Sequence, residues 1–453
     1  MSVFGVYGVP MASHAIYLGL HALQHRGQEG AGMAVFGEDG LCRHHRGLGL
    51  AGEIFSEARL MELEGSMGIG SNQYANAKKG GMDNVQPLFF RHNTGNFAVA
   101  GEGSLVNSPQ IISYLEERGC IFQTDTDAEI LAQLMKKGAE PGDRIDRILQ
   151  ALNMLEGGFA FLILTRNRIY AARDKYGIKP LAIGRLGDGW VVSSETCAFS
   201  LVGADFVRDV EPGEVVCIDS KGLRSSRYSL FQKYKVCAME YIYIARPDSD
   251  IDGCNVHNYR KETGRRLARE CPADADIVVG VPDSGLSAAY GYAEESGIPY
   301  EMGLVKHKYV GRTFIEPLQS MRELGVKMKL SPVRSIVKGK RIVLVDDSIV
   351  RGTTSLKIVK LLRDAGAKEV HVRIASPMMR FTCHYGVDTS TPEELLCSHR
   401  TLEQACEAIG ADSLGYLSPE STRDSCFGCA DPCQACFTGE YPTLLYDDTS
   451  TKE

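Results

Sequence analysis

Short apolar runs separated by glycine-rich turns dominate the first half of the chain: VFGVYG, AGMAVFG, FAVAGEG, GGFAFLILT, RIYAAR, LAIGRLGDGWVVSSE and GEVVCI, up to about residue 230. Brief β-branched and aromatic runs bounded by turn residues read as strands. Two stretches break the rule, HAIYLGLHALQHRG and TDAEILAQLMKKG, whose apolar positions recur at helical spacing. Many strands with few helices between them predict packed antiparallel sheets.

From about residue 270 the period changes. ADIVVGVP, KRIVLVDD and EVHVRIASP read as strands, with the helical patterns GLSAAYGYAEESG and TSLKIVKLLRDAG between them and a basic loop, KHKYVGRTF, after the first helix. Strands alternating with helices predict a parallel sheet, with ligands beyond the carboxyl ends of the strands. The switch near 230–240 predicts two domains, 1–232 and 233–453.

The chain has 453 residues, 44% hydrophobic and 24% charged, with a net charge of −7. That balance fits a globular chain and disfavours a nucleic-acid coat. No apolar run approaches the roughly 20 residues of a membrane span, and the N-terminus lacks a signal-peptide pattern. The expected location is the cytoplasm, with no nucleic-acid or membrane partner. Fourteen cysteines are many for a reducing compartment. Most are scattered, as buried small apolar side chains would be, but Cys426, Cys429, Cys433 and Cys436 crowd into CFGCADPCQAC and point to a metal or a cluster.

The sharpest chemical signal is RIVLVDDSIVRGTTS, residues 341–355. An apolar strand delivers Asp346 and Asp347 to a sheet edge, where they can hold ribose hydroxyls directly or through Mg²⁺. Ser348, Val350, Arg351, Gly352, Thr353, Thr354 and Ser355 form a small, hydroxylated loop opening a helix, a cradle for a 5′-phosphate. Asp283 and Ser284 in VPDSG lie at a second strand-to-helix turn suited to pyrophosphate, and Ser284 joins the two aspartates as a candidate Mg²⁺ neighbour. Lys306, Lys308, Tyr309 and Arg312 surround a glycine in a loop able to cover a polyanion.

These residues resemble the 5-phosphoribosyl 1-pyrophosphate signature of type I phosphoribosyltransferases. Together with LQHRGQEGAG, DNVQPLFF, SETCAF, VEPGE, MEYIYIARPDS, GVPDSG, YVGRTFI and CFTGEYP, they make nearly the whole chain similar to the glutamine phosphoribosylpyrophosphate amidotransferases. The resemblance implies an N-terminal glutaminase domain of the Ntn type, an αββα sandwich, ahead of a phosphoribosyltransferase domain. It also implies purine biosynthesis, purine nucleotides as further ligands and an oligomer. Its iron–sulfur subgroup carries cysteines that match Cys237, Cys383, Cys433 and Cys436, which implies a [4Fe–4S] cluster. Cys426 and Cys429 leave a zinc site or exchanged ligands as alternatives.

The glutaminase half departs from the family. Aligned on VFG, Met1 stands in place of the nucleophilic cysteine and Ser2 in place of a glycine. Gln73 replaces the arginine that grips the glutamine carboxylate and cannot make a charged bidentate clamp. Glu102 replaces the asparagine of the oxyanion hole, where losing a donor alone costs about 3–4 kcal/mol. Arg26 and Asp127 remain at matching positions. Were Met1 removed, Ser2 would be an N-terminal hydroxyl nucleophile, but one residue out of strand register it faces the other way. The closing loop drifts as well, at His307, Lys308, Glu316 and Leu318.

Two expectations follow. The first is an enzyme that makes 5-phosphoribosylamine from free ammonia, or from ammonia that a partner delivers, and releases pyrophosphate. The second is a non-catalytic regulator that binds the donor or nucleotides and pairs with an active paralogue. A weaker third is a pocket around Glu102 that takes a cation or amine.

Overall fold

The computed structural model describes residues 1–74, 80–93, 95–138, 143–229, 234–307, 330–389, 391–426 and 431–446. The expected boundary between 232 and 233 falls outside them, as do Lys308, Tyr309, Arg312, Glu316, Leu318 and Cys429.

Two antiparallel sheets form the first unit. In the seven-stranded sheet the order is Asp205–Asp209, Ala182–Leu186, Gly189–Ser193, Ser2–Tyr7, Met67–Gln73, Gly30–Phe36 and Cys42–Leu48. In the six-stranded sheet it is Gly222–Arg227, Glu214–Asp219, Arg168–Arg173, Gly157–Thr165, Phe97–Leu105 and Leu88–Phe90. Alternation sets the faces: Val3, Ile69, Ala98, Ala100, Ala160 and Leu162 meet between the sheets. On the outer face of the first sheet, Phe4 and Val6 pack with Ile16 and Leu20 of the helix Ala12–Ala22. On the outer face of the second, Val99 and Phe159 pack with Leu131 and Ile148 of two further helices. The result is an αββα sandwich of the Ntn type.

Glycine allows one of these layers to close. A β-carbon at Gly19 would lie 2.5 Å from the Phe4 ring, and one at Gly70 would lie 2.5 Å from Ile16. Only residues without a side chain let the first helix sit this near its sheet.

The second unit holds four parallel strands, Ile277–Gly280, Arg341–Asp346, Glu369–Ile374 and Ser413–Tyr416, in that order across the sheet. Helices cover both faces. Val256–Glu270 and Leu286–Ser296 bury Leu267, Ala288 and Tyr292 against Val278 and Val343. Thr353–Asp364 and Leu402–Ile409 bury Ile358, Leu362 and Ala405 against Ile342 and Val370. Among the described residues no helix is long and apolar enough to cross a membrane.

The two units meet through buried polar groups. Arg173, fully buried, donates to both carboxylate oxygens of Asp252 at 2.8 Å and to the carbonyls of Gly177, Lys179 and Val210. Thr196 Oγ1 accepts from the Asp250 amide at 2.7 Å, and the Cys237 amide donates to Ile178 O at 3.1 Å. These bonds satisfy groups that would be costly to bury alone.

Candidate functional site

The strand Arg341–Asp346 lies second in the parallel sheet and ends at the paired aspartates. Asp346 and Asp347 are 9% and 6% exposed. Asp347 is gripped from two segments: Ser284 Oγ donates to Oδ1 at 2.6 Å and Ser348 Oγ to Oδ2 at 2.7 Å. The Asp347 amide donates to Asp346 Oδ1 at 2.9 Å. Burial first, and then the neighbouring Asp347 carboxylate, push the Asp346 carboxyl well above its ordinary range. A cation or a row of hydroxyls arriving here would relieve that repulsion.

Tight backbone packing fixes the turn that carries Ser284. The Val281 amide donates to Val345 O at 2.9 Å, and a β-carbon at Gly285 would lie 2.7 Å from the same carbonyl. Lys306 forms an ion pair with Asp283 on this turn, while His307 bonds Ser331 Oγ at 2.9 Å. In the hydroxylated loop, Ile349 is buried and Val350 packs against the cysteine-rich core, anchoring it at both apolar positions. Gly352 adopts φ 78° as the residue before the helix Thr353–Asp364, a left-handed conformation that glycine allows. Arg351, Thr353 and Thr354 are exposed, and Ser355 is buried. Asp283, Ser284, Lys306, Asp346, Asp347 and the loop 348–355 thus gather at the carboxyl edge of one sheet.

In the first unit, Met1 and Glu102 meet at Arg26, Gln73 lies beside the following Gly27, and Asp127 has other partners. Met1 donates its amino group to Arg26 O at 2.8 Å, and Arg26 Nε donates to Met1 O at 3.3 Å. Ser2 pairs with Asn72 and by alternation shares the outer face with Phe4 and Val6, away from the layer that holds Val3. Gln73 is buried at the end of the adjacent strand. Asp127 braces the end of the Phe97–Leu105 strand, accepting from the Leu105 amide and from Ser108 Oγ.

Glu102 lies on the Phe97–Leu105 strand, two and four residues beyond Ala100 and Ala98, and so on the face between the sheets. It is 3% exposed. Its carboxyl accepts from Arg26 Nη2 at 3.3 Å and from Ser194 Oγ at 3.0 Å. The same guanidinium donates to Glu195 at 2.6 Å and to Glu240 at 2.8 and 2.9 Å, and Lys179 adds a 3.3 Å contact to Glu240. Burial opposes ionisation of Glu195 and Glu240, yet Arg26, aided by His25 at Glu195 and Lys179 at Glu240, holds both carboxyls below their ordinary values. For Glu102 burial wins, and its carboxyl is raised. Two buried cations thus face three carboxyls.

The sequence pattern does not single out Glu195, Lys179, Ser194 or Glu240, although SETCAF and MEYIYIARPDS contain three of them. Acidic residues set inside otherwise apolar runs were the available signal. Because Arg26 and Ser194 already occupy Glu102, the expectation of a pocket open to an outside cation or amine is not met.

Cys237, Cys433 and Cys436 are buried and Cys383 half-buried, all in one core with Tyr385 and Cys426. Burial raises the Cys237, Cys433 and Cys436 thiols; Cys433 is pushed up to about 12. Each of the four lies within electrostatic reach of the other three. The Cys433 amide donates to Val236 O at 2.8 Å, and Cys436 O accepts from the Arg380 and Phe381 amides, joining three distant segments. Among the described residues, no three His, Cys, Asp or Glu side chains converge as a metal site requires, for the four cluster cysteines as for a single ion, and Cys429 of the zinc alternative lies outside those residues.

Comparison with known proteins accounts for both halves. A family model described as glutamine amidotransferase domain matches residues 78–200, and one described as phosphoribosyl transferase domain matches 257–380. Amidophosphoribosyltransferase of Bacillus subtilis is 52% identical over 99% of this chain and 95% of its own length. The enzyme of that name from Staphylococcus aureus is 46% identical over 98% and 91%. Among solved structures, the B. subtilis glutamine phosphoribosylpyrophosphate amidotransferase complexed with ADP and GMP superposes with a TM-score of 0.93 at 50% identity, covering 99% and 98% of the two chains. A structure described as the allosteric regulatory enzyme of purine biosynthesis gives 0.94 at 51% identity, covering 99% and 97%. With an αββα sandwich ahead of a parallel sheet and relatives this similar over its whole length, the chain belongs to the amidophosphoribosyltransferase family.

Proposed function

We propose that this protein transfers ammonia to 5-phosphoribosyl 1-pyrophosphate with release of pyrophosphate, and that its own first domain, 1–232, does not supply the ammonia from glutamine. The donor half rests on the gathered edge of the second domain, 233–453. Asp346 and Asp347 face the ribose hydroxyls, the amides and hydroxyls of 348–355 receive the 5′-phosphate, and Ser284 and Lys306 face the pyrophosphate; Lys308, Tyr309 and Arg312 belong to the same reading. Ammonia's nitrogen forms a bond to ribose C1 as the C1–O bond to pyrophosphate breaks. The electron pair leaves with pyrophosphate, and the nitrogen sheds a proton to water. Two carboxylates and a hydroxyl suit Mg²⁺, which binds through one or two carboxylates plus substrate phosphates. When bound, that ion neutralises charge on the leaving group.

The observation that carries the second clause is Glu102, a carboxyl held by Arg26 and Ser194 at the position where the family places an oxyanion-hole asparagine. A transition state that develops negative charge gains nothing from a carboxyl there. Gln73, in place of a carboxylate-gripping arginine, adds to it. Pyrophosphate release from the purified protein with donor, Mg²⁺ and either ammonium or glutamine tests this. Release with ammonium alone is expected; equal release with glutamine refutes it, and silence with both despite donor binding leaves the non-catalytic regulator.

Cys237, Cys383, Cys433 and Cys436 are the residues that would hold a [4Fe–4S] cluster, whose four thiolate bonds would tie three segments of the fold together. Anaerobically purified protein should then carry about four irons per chain and lose them, with its visible absorbance, in Cys433→Ser. Metal-free protein of full stability would overturn that assignment.

A further inference from the structure

Arg26 is the node of the first domain's interior. Its guanidinium serves three carboxyls from three parts of the fold: Glu195 beside the seven-stranded sheet, Glu240 at the start of the second unit, and Glu102 on the six-stranded sheet. The bonds are unequal, 2.6–2.9 Å to Glu195 and Glu240 but 3.3 Å to Glu102. The shorter contacts to Glu195 and Glu240 are the stronger charge-assisted ones, and the contact to Glu102 is the looser. Ser194 completes the set: its Oγ accepts from the Val3 amide at 2.8 Å, lies 3.3 Å from Val3 O and 3.0 Å from Glu102 Oε2. The Glu102 carboxyl fits both partners, one oxygen accepting from Arg26 and the other from the Ser194 hydroxyl.

We propose that the Glu102 carboxyl is an internal ligand: it fills a site for a small carboxylic acid formed by Arg26 and Ser194, and as a positioning residue it holds Arg26 on Glu240 across the domain boundary. The proposal rests on the reading that this pocket no longer hydrolyses glutamine. Glu240 begins the turn Glu240–Ile244, whose Tyr241 carbonyl, together with that of Ala245, is gripped by Arg260 of the helix Val256–Glu270 at 2.7 Å. The pin therefore runs from the six-stranded sheet into the first helix of the second unit.

Three variants decide it. Glu102→Gln keeps the shape of the ligand, with the amide oxygen accepting from Arg26 and the amide nitrogen donating to Ser194, whose hydroxyl turns to Val3 O, and should melt within a degree or two of the parent. Glu102→Ala removes the ligand and leaves room for one methyl carbon and a carboxyl, the size of acetate. It should melt several degrees lower, and acetate should restore most of that loss while equal chloride, or butyrate, too long for the space, does not. Ser194→Ala combined with Glu102→Ala removes one wall of the site and should abolish the acetate effect. If Glu102→Ala is recovered only as aggregate, its refolded yield in acetate against chloride reads the same rescue. A Glu102→Ala protein as stable as the parent, or one indifferent to acetate, overturns the proposal. Pyrophosphate release driven by glutamine would instead sink the functional reading, and it is measured separately from melting.

Discussion

At the scale of single residues, the proposed donor site turns on Asp347. Its two oxygens are each claimed by a hydroxyl from a different loop, so truncation would remove a proposed substrate ligand and loosen both loops. Asp347→Ala is expected to lower kcat/KM for the donor about 10- to 100-fold, the range for lost hydrogen bonds to a charged group, as read by ammonium-dependent pyrophosphate release. These residues were legible because a run such as VDDSIVRGTTS states its chemistry in consecutive letters. Glu195, Lys179 and Glu240 were not, because their partners lie far off in sequence: Arg26 is 169 residues from Glu195 and 214 from Glu240. Alternation could have placed Glu102 between the sheets, but nothing local named Arg26 and Ser194 as its partners.

At the scale of elements, alternation found FAVAGEG, GGFAFLILT and RIYAAR, each now a central strand. It missed Met67–Gln73, glycine-rich and buried on both faces, and the edge strand Cys42–Leu48, which is too polar to show a pattern. HAIYLGLHALQHRG has the spacing of one helix, yet the helix stops at Ala22 and tightens into a 3₁₀ turn over Gln24–Arg26, which brings Arg26 into the core. Helices Ser108–Glu116, Arg144–Met154 and Val256–Glu270 lie outside the predicted elements, although Ile145, Ile148, Leu149 and Leu152 keep helical spacing. The turn before Leu286–Ser296 has no tolerance for bulk. Gly285→Ala would force Cβ against Val345 O and Val281 O, both backbone, at 2.7 and 2.9 Å. A loss of about 1–3 kcal/mol in urea unfolding is expected, with weaker donor binding because Ser284 moves with the turn.

At the scale of the whole molecule, the buried interface should make stability sensitive to acid. Glu195 and Glu240 are held below their ordinary value of 4.5, so the native state binds fewer protons than the unfolded chain once pH falls to that value. Their contribution is complete above it and is lost progressively below. Glu102, raised by burial, works in the opposite sense, its share declining as pH rises from 4.5 through its own higher value. Glu240→Gln should therefore melt lower at neutral pH but flatten the decline of melting temperature below about pH 4.5; an unchanged slope would exclude Glu240 as a source. Arg173→Met should cost about 3–5 kcal/mol by stranding Asp252, and should lower the stability of both units together, as read by denaturant unfolding with a probe in each.

The Arg26 node also constrains what descendants of this chain can become. Asparagine at 102 alone would take away an acceptor that Arg26 and Ser194 now use, while Gln73 would still lack the charge to grip a carboxylate. On the proposed reading, no single substitution at these positions moves the pocket toward glutamine hydrolysis without first disturbing the interior. The three side chains are bound to one another, and lineages that carry Glu102 should keep Arg26 and Ser194 with it.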